Sequence, residues 1–240
     1  MKPIRIAMWS GPRNISSTMR RSFSSRSDTH VTDEPLYAHY LKRTGFHHSG
    51  YEEIIQLYNT DYNSIKKNLI NDIPKGKTVW YQKHMAPHLD PSDNLGWPNN
   101  LMNCLLIRNP NHVIESFINK NELKDANELG YPQLLKLFQY HNNQIPIVDA
   151  KDILLNPKEM LRKLCALFKI SFEENMLSWN QGPHPQDGIW GKYWYDRLWK
   201  STTFSLYEEK KSIISDRYKD ILEKCIVIYD ELYEHRIQSI

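Results

Sequence analysis

The feature that most constrains the fold of this chain is the alternation of short apolar runs with segments of helical periodicity. Continuous apolar runs are typical of strands buried on both faces of a parallel sheet, because helices cover both of those faces. We therefore predict an α/β fold with three layers, α/β/α, around a central, mostly parallel sheet of about five strands. The predicted strands comprise residues 4–9, 30–33, 78–82, 102–107 and 145–148.

Capping residues indicate where some of the helices begin. Asn109 and Asn156 each precede a proline, and Asn followed by Pro is a favoured helix start. Glu159 adds the capping-box position to the second of these starts. We also predict a helix over residues 16–25 and a long amphipathic helix over residues 215–235.

Length and composition limit the class of protein. The 240 residues suffice for one α/β domain, which we expect to span residues 1–240. A net charge of +3 is too small to indicate nucleic-acid binding. No apolar stretch reaches the roughly 18 residues of a membrane span, and the first apolar run is too short for a signal peptide. We therefore expect a cytoplasmic protein without nucleic-acid or membrane partners, and we leave a homodimer open.

The cysteines give no sign of a metal site or of disulfides. Cys104, Cys165 and Cys225 each lie in an apolar stretch, and no pair has the spacing of metal ligands. This pattern predicts buried free thiols in a reducing compartment.

Several predicted strand ends carry polar side chains. In an open parallel sheet, ligands bind outside the carboxyl ends of the strands. We therefore expect hydroxyls, cations, carboxylates and a histidine to converge on one crevice. The strand ends that supply them are residues 10–18, Asp33 with Glu34, Lys83 with His84, and Arg108 with Asn109.

The loop over residues 10–18 reads Ser-Gly-Pro-Arg-Asn-Ile-Ser-Ser-Thr. It joins a buried strand to a helix, and the backbone N–H groups at a helix start favour an anion. Ser16, Ser17 and Thr18 add donors for phosphate oxygens, and Arg13 adds positive charge. The loop is close in length to a Walker A loop but lacks the Gly-Lys pair of that motif. A turn without a ligand stays open as the alternative for this loop taken alone.

A second anion site is indicated after the strand over residues 102–107. Arg108 follows the strand, and Ser116 lies about two turns into the next helix. A guanidinium and a hydroxyl so placed are able to hold one phosphate. A magnesium-dependent NTPase is expected to place Asp or Glu at such a strand end. Arg108 therefore speaks against that class, although Asp33 and Asp149 stay open as substitutes.

The pairing of a Pro-Arg-x-x-Ser-Ser loop with a later Arg-x-Pro…Ser element resembles the family of sulfotransferases that depend on 3′-phosphoadenylyl sulfate. In that family the first loop binds the 5′-phosphosulfate end of the donor, and Arg13, Ser16 and Ser17 match its cation and hydroxyls. The second element binds the 3′-phosphate through an Arg and a Ser eight positions apart, which is the spacing of Arg108 and Ser116.

The likeness spans roughly residues 4–204 and implies a P-loop NTPase-like fold. Residues 148–168 resemble the family's Tyr-Glu-Asp-Leu…Asp-Pro…Leu…Leu segment. Asn14 and Ile15 replace the Ser-Gly of the family loop, so we expect Asn14 to contact the donor in a loop of different shape. The motif Asp-Glu-Pro-Leu-Tyr over residues 33–37 places the chain nearer to a divergent bacterial-type branch.

The resemblance also implies a catalytic base. In the family a Lys-x-His at a strand end supplies it; His84 matches the histidine, and Gln82 stands in place of the lysine. Histidine suits proton removal because its unperturbed pKa is about 6.5. His88 is the rival candidate. We therefore predict that His84 activates the acceptor and that Arg13 stabilises the leaving phosphate.

Residues 188–204 resemble the late basic loop that folds over the donor in this family. Lys192, Arg197 and Lys200 are its candidates for contact with the 3′-phosphate, and a tryptophan of the segment is a candidate to stack on adenine. Packing of an aromatic helix and loop onto the sheet stays open as the alternative.

Four further residues, Asp33, Glu34, Lys83 and His88, are expected where an acceptor would approach. The two carboxylates are able to bind a cationic group or to assist proton removal. Alternatively, they pair with Arg13 or Lys83, and the sequence leaves this choice open.

The resemblance implies an enzyme that moves a sulfuryl group from 3′-phosphoadenylyl sulfate to a hydroxyl or amine of a small-molecule acceptor. The product would be adenosine 3′,5′-bisphosphate. We expect no metal, because the cations of the site would neutralise the phosphates. Two alternatives stay open, a P-loop nucleotide kinase-like phosphotransferase and a non-catalytic nucleotide-binding protein on the same fold.

Overall fold

The computed structural model describes residues 3–74, 76–209 and 212–238. Its centre is a sheet of five strands in the order β2-β3-β1-β4-β5, and each neighbouring pair is parallel. The predicted α/β class with a central parallel sheet is therefore confirmed. The strands are β1 (Ile4–Ser10), β2 (Thr29–Asp33), β3 (Val79–Met85), β4 (Met102–Ile107) and β5 (Ile147–Asp149).

Helices surround the sheet. The connections between the strands contain α1 (Ser16–Ser24), α2 (Tyr37–Thr44), α3 (Tyr51–Leu57), α4 (Tyr62–Leu69), α5 (Pro110–Ile118) and α6 (Tyr131–Tyr140). After β5 follow α7 (Ala150–Leu155), α8 (Pro157–Leu167), α9 (Gly191–Trp194), α10 (Asp196–Trp199) and α11 (Lys219–Glu234).

An apolar core lies on each face of the sheet, as three layers require. On β1, Ala7 and Trp9 pack into one core with α5, α6 and α11. Ile6 and Met8 pack into the other core with α1 and α8. Successive side chains of a strand point to opposite faces, so burial of both faces makes the strand a continuous apolar run. This is why β1 and β4 were recognisable in the sequence as continuous apolar runs.

β3 departs from the prediction because it continues through Met85 instead of ending at residue 82. All of its residues are buried, including the polar Gln82, Lys83 and His84. Since side chains alternate along a strand, Lys83 and His84 face opposite sides of the sheet. The two residues that the sequence placed together at a strand end are thereby separated.

The helix starts inferred from capping residues are confirmed. The Asn109 side chain accepts a hydrogen bond from the N–H of Asn111 at 3.0 Å. The Asn156 side chain accepts one from the N–H of Glu159 at 3.3 Å. The last helix begins at Lys219, later than predicted, after a 3₁₀ turn over Asp216–Tyr218.

The predicted state of the cysteines is also confirmed, since Cys104, Cys165 and Cys225 are buried and free. Among the described residues, no helix combines the length and the apolar character needed to span a bilayer.

Candidate active site

A cavity of about 360 Å³ opens at the carboxyl end of the sheet; we call it the donor cavity. It lies where ligands bind in open parallel sheets. Most of the residues predicted from the sequence line it: Arg13, Asn14, Ser16, Ser17, Thr18, Glu34, Lys83, His88, Arg108, Ser116 and Arg197.

The loop between β1 and α1 forms one wall of the donor cavity. Gly11 lies so close to Leu129 that an added Cβ would come within 2.1 Å of its carbonyl oxygen. Arg13 and Ile15 adopt left-handed conformations, with φ of 60° and 39°, which turn the chain into α1. Among the described residues, no side chain caps α1, and its first turn contains no acidic residue. The first N–H groups of α1 are therefore suited to an anion.

Arg13 and Arg108 face the same cavity. Arg108 Nη1 donates a hydrogen bond to the carbonyl oxygen of Arg13 at 2.7 Å. Arg13 Nε donates to Ser116 Oγ at 2.8 Å. The buried Asn14 holds the loop to β4 through a hydrogen bond from Nδ2 to the carbonyl oxygen of Leu106 at 2.6 Å. The two predicted anion sites are thus adjacent parts of one site.

The arginines make this part of the cavity strongly positive. Burial lowers the pKa of Arg13, and the charges of Arg197 and Arg108 lower it further. The second, smaller effect arises because like charges are held close together. A bound polyanion would relieve this repulsion.

Lys83 is the centre of a buried polar cluster beside the donor cavity; Lys83, Glu34 and Tyr195 line the cavity, and the predicted Asp33 lies behind them. Its Nζ donates to Glu34 Oε1 at 2.5 Å, to Asp33 Oδ1 at 3.1 Å and to Tyr195 Oη at 2.8 Å. The Tyr195 hydroxyl in turn donates to the Asp33 carboxylate at 2.8 Å. Of the two pairings that the sequence left open, the structure shows the one with Lys83.

The two carboxylates of this cluster differ in proton affinity. Burial opposes the ionisation of Asp33, but the charges of Arg20 and Lys83 and the hydrogen bond from Tyr195 lower its pKa to about 2. Burial raises the pKa of Glu34, and the negative charge of the nearby Asp33 raises it further. These two effects outweigh the charge of Lys83, which lowers the pKa. Asp33 is therefore a fixed anion, whereas Glu34 is the better proton acceptor near neutral pH.

A buried ionic network fixes the segment around α10 beside the cavity. Arg20 and Arg21 of α1 both form ion pairs with Asp187. The distance from Arg21 Nη2 to Asp187 Oδ2 is 3.2 Å. Trp199 Nε1 donates to the same carboxylate at 2.9 Å. α10 and its neighbouring residues are thereby attached to the helix that follows the anion-binding loop.

His84 does not lie at the donor cavity, and this corrects the expectation that it is the catalytic base. Its ring is 1% exposed and stacks on Trp9 with the centroids 4.2 Å apart. Its Nε2 shares a hydrogen bond with Gln82 Oε1 at 3.0 Å. Burial lowers the pKa of His84 to about 3. The physical reason is the extension of β3, which points His84 into the apolar layer.

Two other histidines line the donor cavity. His88 is buried and stacks on Tyr37 and Tyr40, with centroids 5.0 and 4.6 Å away. Burial lowers the pKa of His88 well below its usual value. His48 shares a hydrogen bond between Nδ1 and Tyr37 Oη at 2.8 Å, and burial lowers its pKa as well. Both rings are therefore neutral at pH 7.

Both predicted donor-binding lysines, Lys192 and Lys200, form ion pairs outside the donor cavity. Lys192 Nζ pairs with Glu53 at 2.6 Å on the surface. Lys200 Nζ pairs with Asp196 at 2.9 Å, one helical turn away and also on the surface. Of the basic residues proposed in that segment, Arg197 is the one that lines the donor cavity. Of the tryptophans in that segment, Trp194 is the one that lines the cavity.

The sequence missed Tyr37, His48 and Tyr195 as site residues. The dense Trp and Tyr stretch near α9 and α10 signalled a ring-lined surface, but it did not show which ring meets Lys83, 112 positions away. In the part of the chain that the structure describes, no cluster of three or more His, Cys, Asp or Glu is placed to hold a metal ion. The metal-free reaction stays a prediction.

Comparison with known sequences gives a family match and two relatives. A family model described as a sulfotransferase domain matches residues 4–235. Branched-chain-amino-acid aminotransferase-like protein 2 of Arabidopsis thaliana is 34% identical over 237 residues, which are 96% of this chain and 41% of the relative. Protein 1 of the same name is 32% identical over 98% of this chain and 42% of its own length. The chain thus spans about two fifths of the length of the curated relatives it matches.

Solved structures share the fold at low sequence identity. The sulfotransferase domain from the curacin biosynthetic pathway has a TM-score of 0.52 and 17% identity, and the match covers 100% of this chain and 99% of that chain. A mouse sulfotransferase complexed with PAP has a TM-score of 0.53 and 12% identity, with 100% and 86% covered. A sulfotransferase from Alicyclobacillus acidocaldarius has a TM-score of 0.52 and 10% identity, with 100% and 98% covered.

Proposed function

This chain belongs to the sulfotransferase domain family, and on that premise we propose that it transfers a sulfuryl group from 3′-phosphoadenylyl sulfate to a hydroxyl or amine of a small acceptor. The observation that carries the proposal is the convergence of Arg13 and Arg108 on one cavity. Two guanidinium groups that enter one cavity from the loop after β1 and from the end of β4 favour a polyanionic ligand. The proposed donor has a phosphosulfate at one end and a 3′-phosphate at the other.

The remaining residues of the donor cavity suit the two ends of this donor. Ser16, Ser17 and the first N–H groups of α1 would hold the phosphosulfate, as helix starts do for anions. Arg108 and Ser116 would hold the 3′-phosphate. Trp194 would stack on the adenine ring, which offers a flat face.

The proposed reaction is an in-line displacement, and 3′-phosphoadenylyl sulfate supplies the sulfuryl group. A bond forms between the acceptor heteroatom and sulfur while the bond from sulfur to the phosphate oxygen breaks, and its electron pair stays on that oxygen. Arg13 and the N–H groups of α1 stabilise the negative charge that builds there. Glu34 takes the proton that the acceptor releases.

Glu34 replaces His84 as the proposed base because of its position and its environment. Its carboxylate lines the donor cavity and is held by Lys83 at 2.5 Å. Its raised pKa brings it closer to neutrality, where a general base is most effective. Lys83 also remains paired with Asp33, so the cluster keeps a fixed counter-charge when Glu34 is protonated.

The kinase-like alternative is disfavoured by Arg108 at the end of β4, where a magnesium-dependent enzyme would place a carboxylate. The test is incubation of the protein with radiolabelled 3′-phosphoadenylyl sulfate and a panel of alcohols, phenols and amines. Transfer of the label to an acceptor, with release of adenosine 3′,5′-bisphosphate, supports the proposal. Phosphoryl transfer from ATP and magnesium, without binding of the bisphosphate, would support the kinase-like alternative.

A further inference from the structure

A second cavity of about 360 Å³ adjoins the donor cavity; we call it the acceptor cavity. The two cavities share part of their lining, so a molecule in one reaches the edge of the other. The shared residues are Pro12, His48, Met85, His88, Phe117 and Asn121.

The wall of the acceptor cavity is rich in aromatic rings. Tyr40 and Phe46 lie at an angle of 57° with their centroids 5.9 Å apart, and Phe117 lines the same space. His88, 6% exposed, adds a neutral ring whose buried Nδ1 has no hydrogen-bond partner within the described residues. Aromatic faces attract cations through their quadrupoles.

The acceptor cavity is lined by two carboxylates, Glu122 and Glu128, and by Lys124, whereas cations outnumber carboxylates in the donor cavity. Glu122 already pairs with Arg217 at 3.0 Å and with Lys124 at 3.8 Å. Glu128 is half-buried and forms no ion pair within residues 3–74, 76–209 and 212–238. Burial raises the pKa of Glu128, and this effect outweighs the backbone hydrogen bond and the charge of Lys124, which lower it.

We propose that the acceptor cavity binds a small acceptor that carries a positively charged ammonium group in addition to the nucleophile that receives the sulfuryl group. This inference rests on the proposed function. The ammonium group lies against the rings of Tyr40 and Phe46 and pairs with Glu128. The nucleophile then lies toward the lining that the two cavities share, on the side of Glu34 and Arg13.

The test compares two alcohols of the same shape that differ only in charge, (2-hydroxyethyl)trimethylammonium and 3,3-dimethylbutan-1-ol. Binding of each to the protein saturated with adenosine 3′,5′-bisphosphate is measured by titration calorimetry. We expect the ammonium alcohol to bind at least about tenfold more tightly, because cation–π contacts and a desolvated carboxylate both favour it. Equal binding, or tighter binding of the neutral alcohol, overturns the inference.

Two variants locate the effect. Glu128→Gln should abolish most of the preference for the ammonium alcohol and leave binding of the neutral alcohol unchanged. Glu122→Gln is the matched control, since its carboxylate is already paired, and it should alter the preference less than twofold, as expected for an exposed ion pair. A preference that survives Glu128→Gln contradicts the role of Glu128.

The same experiment separates this inference from the proposed function. Failure of adenosine 3′,5′-bisphosphate to bind contradicts the donor assignment. Binding of the bisphosphate with no discrimination between the two alcohols contradicts the acceptor assignment alone. Because the alcohols are compared by binding, slow turnover does not affect either conclusion.

Discussion

The guanidinium of Arg108 donates a hydrogen bond to the main-chain carbonyl of Arg13 over 2.7 Å. This bond fixes the end of β4 against the loop that follows β1. The anion-binding groups of the two strand ends therefore lie in one cavity. Arg108 both holds the loop in place and contributes positive charge to the cavity.

Replacement of Arg108 with Ala should weaken binding of adenosine 3′,5′-bisphosphate by roughly ten- to a hundredfold, because a charge-assisted hydrogen bond contributes about 1.5–3 kcal/mol. Titration calorimetry measures the effect. Lys200→Ala is the matched control, since Lys200 Nζ pairs with Asp196 on the surface. An equal loss of affinity in both variants would show that general positive charge, rather than the Arg108 contact, holds the ligand.

Glu34→Gln should lower kcat by about 10²–10⁴-fold, the usual contribution of a general base, while affinity for the bisphosphate is kept. Because the base must be unprotonated, activity of the unchanged protein should rise with pH through the raised pKa of Glu34. The residual activity of the variant should lack this rise. Steady-state kinetics as a function of pH provides the measurement, and an unchanged kcat would exclude Glu34 as the base.

The contrast between Glu34 and His84 shows what the sequence was able to predict. The order of strands and the polar loop after each strand follow from local patterns, and these placed Arg13, Arg108 and Ser116 in one crevice. The face of a buried strand on which a polar residue lies is set by the alternation of side chains along that strand. β3 continues through Gln82, Lys83 and His84 to Met85, so the alternation includes these polar residues, and Lys83 rather than His84 reaches the cavity.

His84→Gln tests that correction through stability as well as activity. The folded pKa of His84 is about 3, below the unfolded value of about 6.5. As the pH falls, His84 is protonated in the unfolded chain before it is protonated in the folded protein. Its contribution to stability is therefore fully present above pH 6.5 and decreases as the pH falls below that value. Linkage gives a loss of about 2 kcal/mol at pH 5 from this group.

In His84→Gln, the loss of stability that His84 causes at pH 5 should disappear. The kcat of the variant should stay within about twofold of the kcat of the unchanged protein. Urea unfolding at pH 7.5 and at pH 5 gives the first quantity, and turnover at pH 7.5 gives the second. A variant that folds and binds the bisphosphate but does not turn over would restore His84 as a catalytic residue.

Tyr195→Phe should lower the free energy of unfolding by about 1–3 kcal/mol, because it removes one hydrogen bond from each of the buried groups of Asp33 and Lys83. Tyr193→Phe is the control, since Tyr193 is 37% exposed. Chemical unfolding of both variants measures the difference. Equal stability would mean that the hydroxyl of Tyr195 does not hold the cluster together.

The lysines near α9 and α10 show a second limit of the sequence. Lys192, Arg197 and Lys200 lie in the same basic and aromatic stretch, and spacing alone did not distinguish them. The surface carboxylates Glu53 and Asp196 pair with the two lysines, and only the folded chain brings Glu53 near Lys192. Long-range contacts of this kind have no local signal.

The central proposal is that the donor cavity binds both ends of a doubly phosphorylated nucleotide. The most direct measurement is the affinity of the protein for adenosine 3′,5′-bisphosphate, compared with AMP and with ATP and magnesium, by titration calorimetry. We expect the bisphosphate to bind about a hundredfold more tightly than AMP, because only its 3′-phosphate engages Arg108 and Ser116. Equal affinities for the bisphosphate and AMP, or tightest binding of ATP with magnesium, would contradict it.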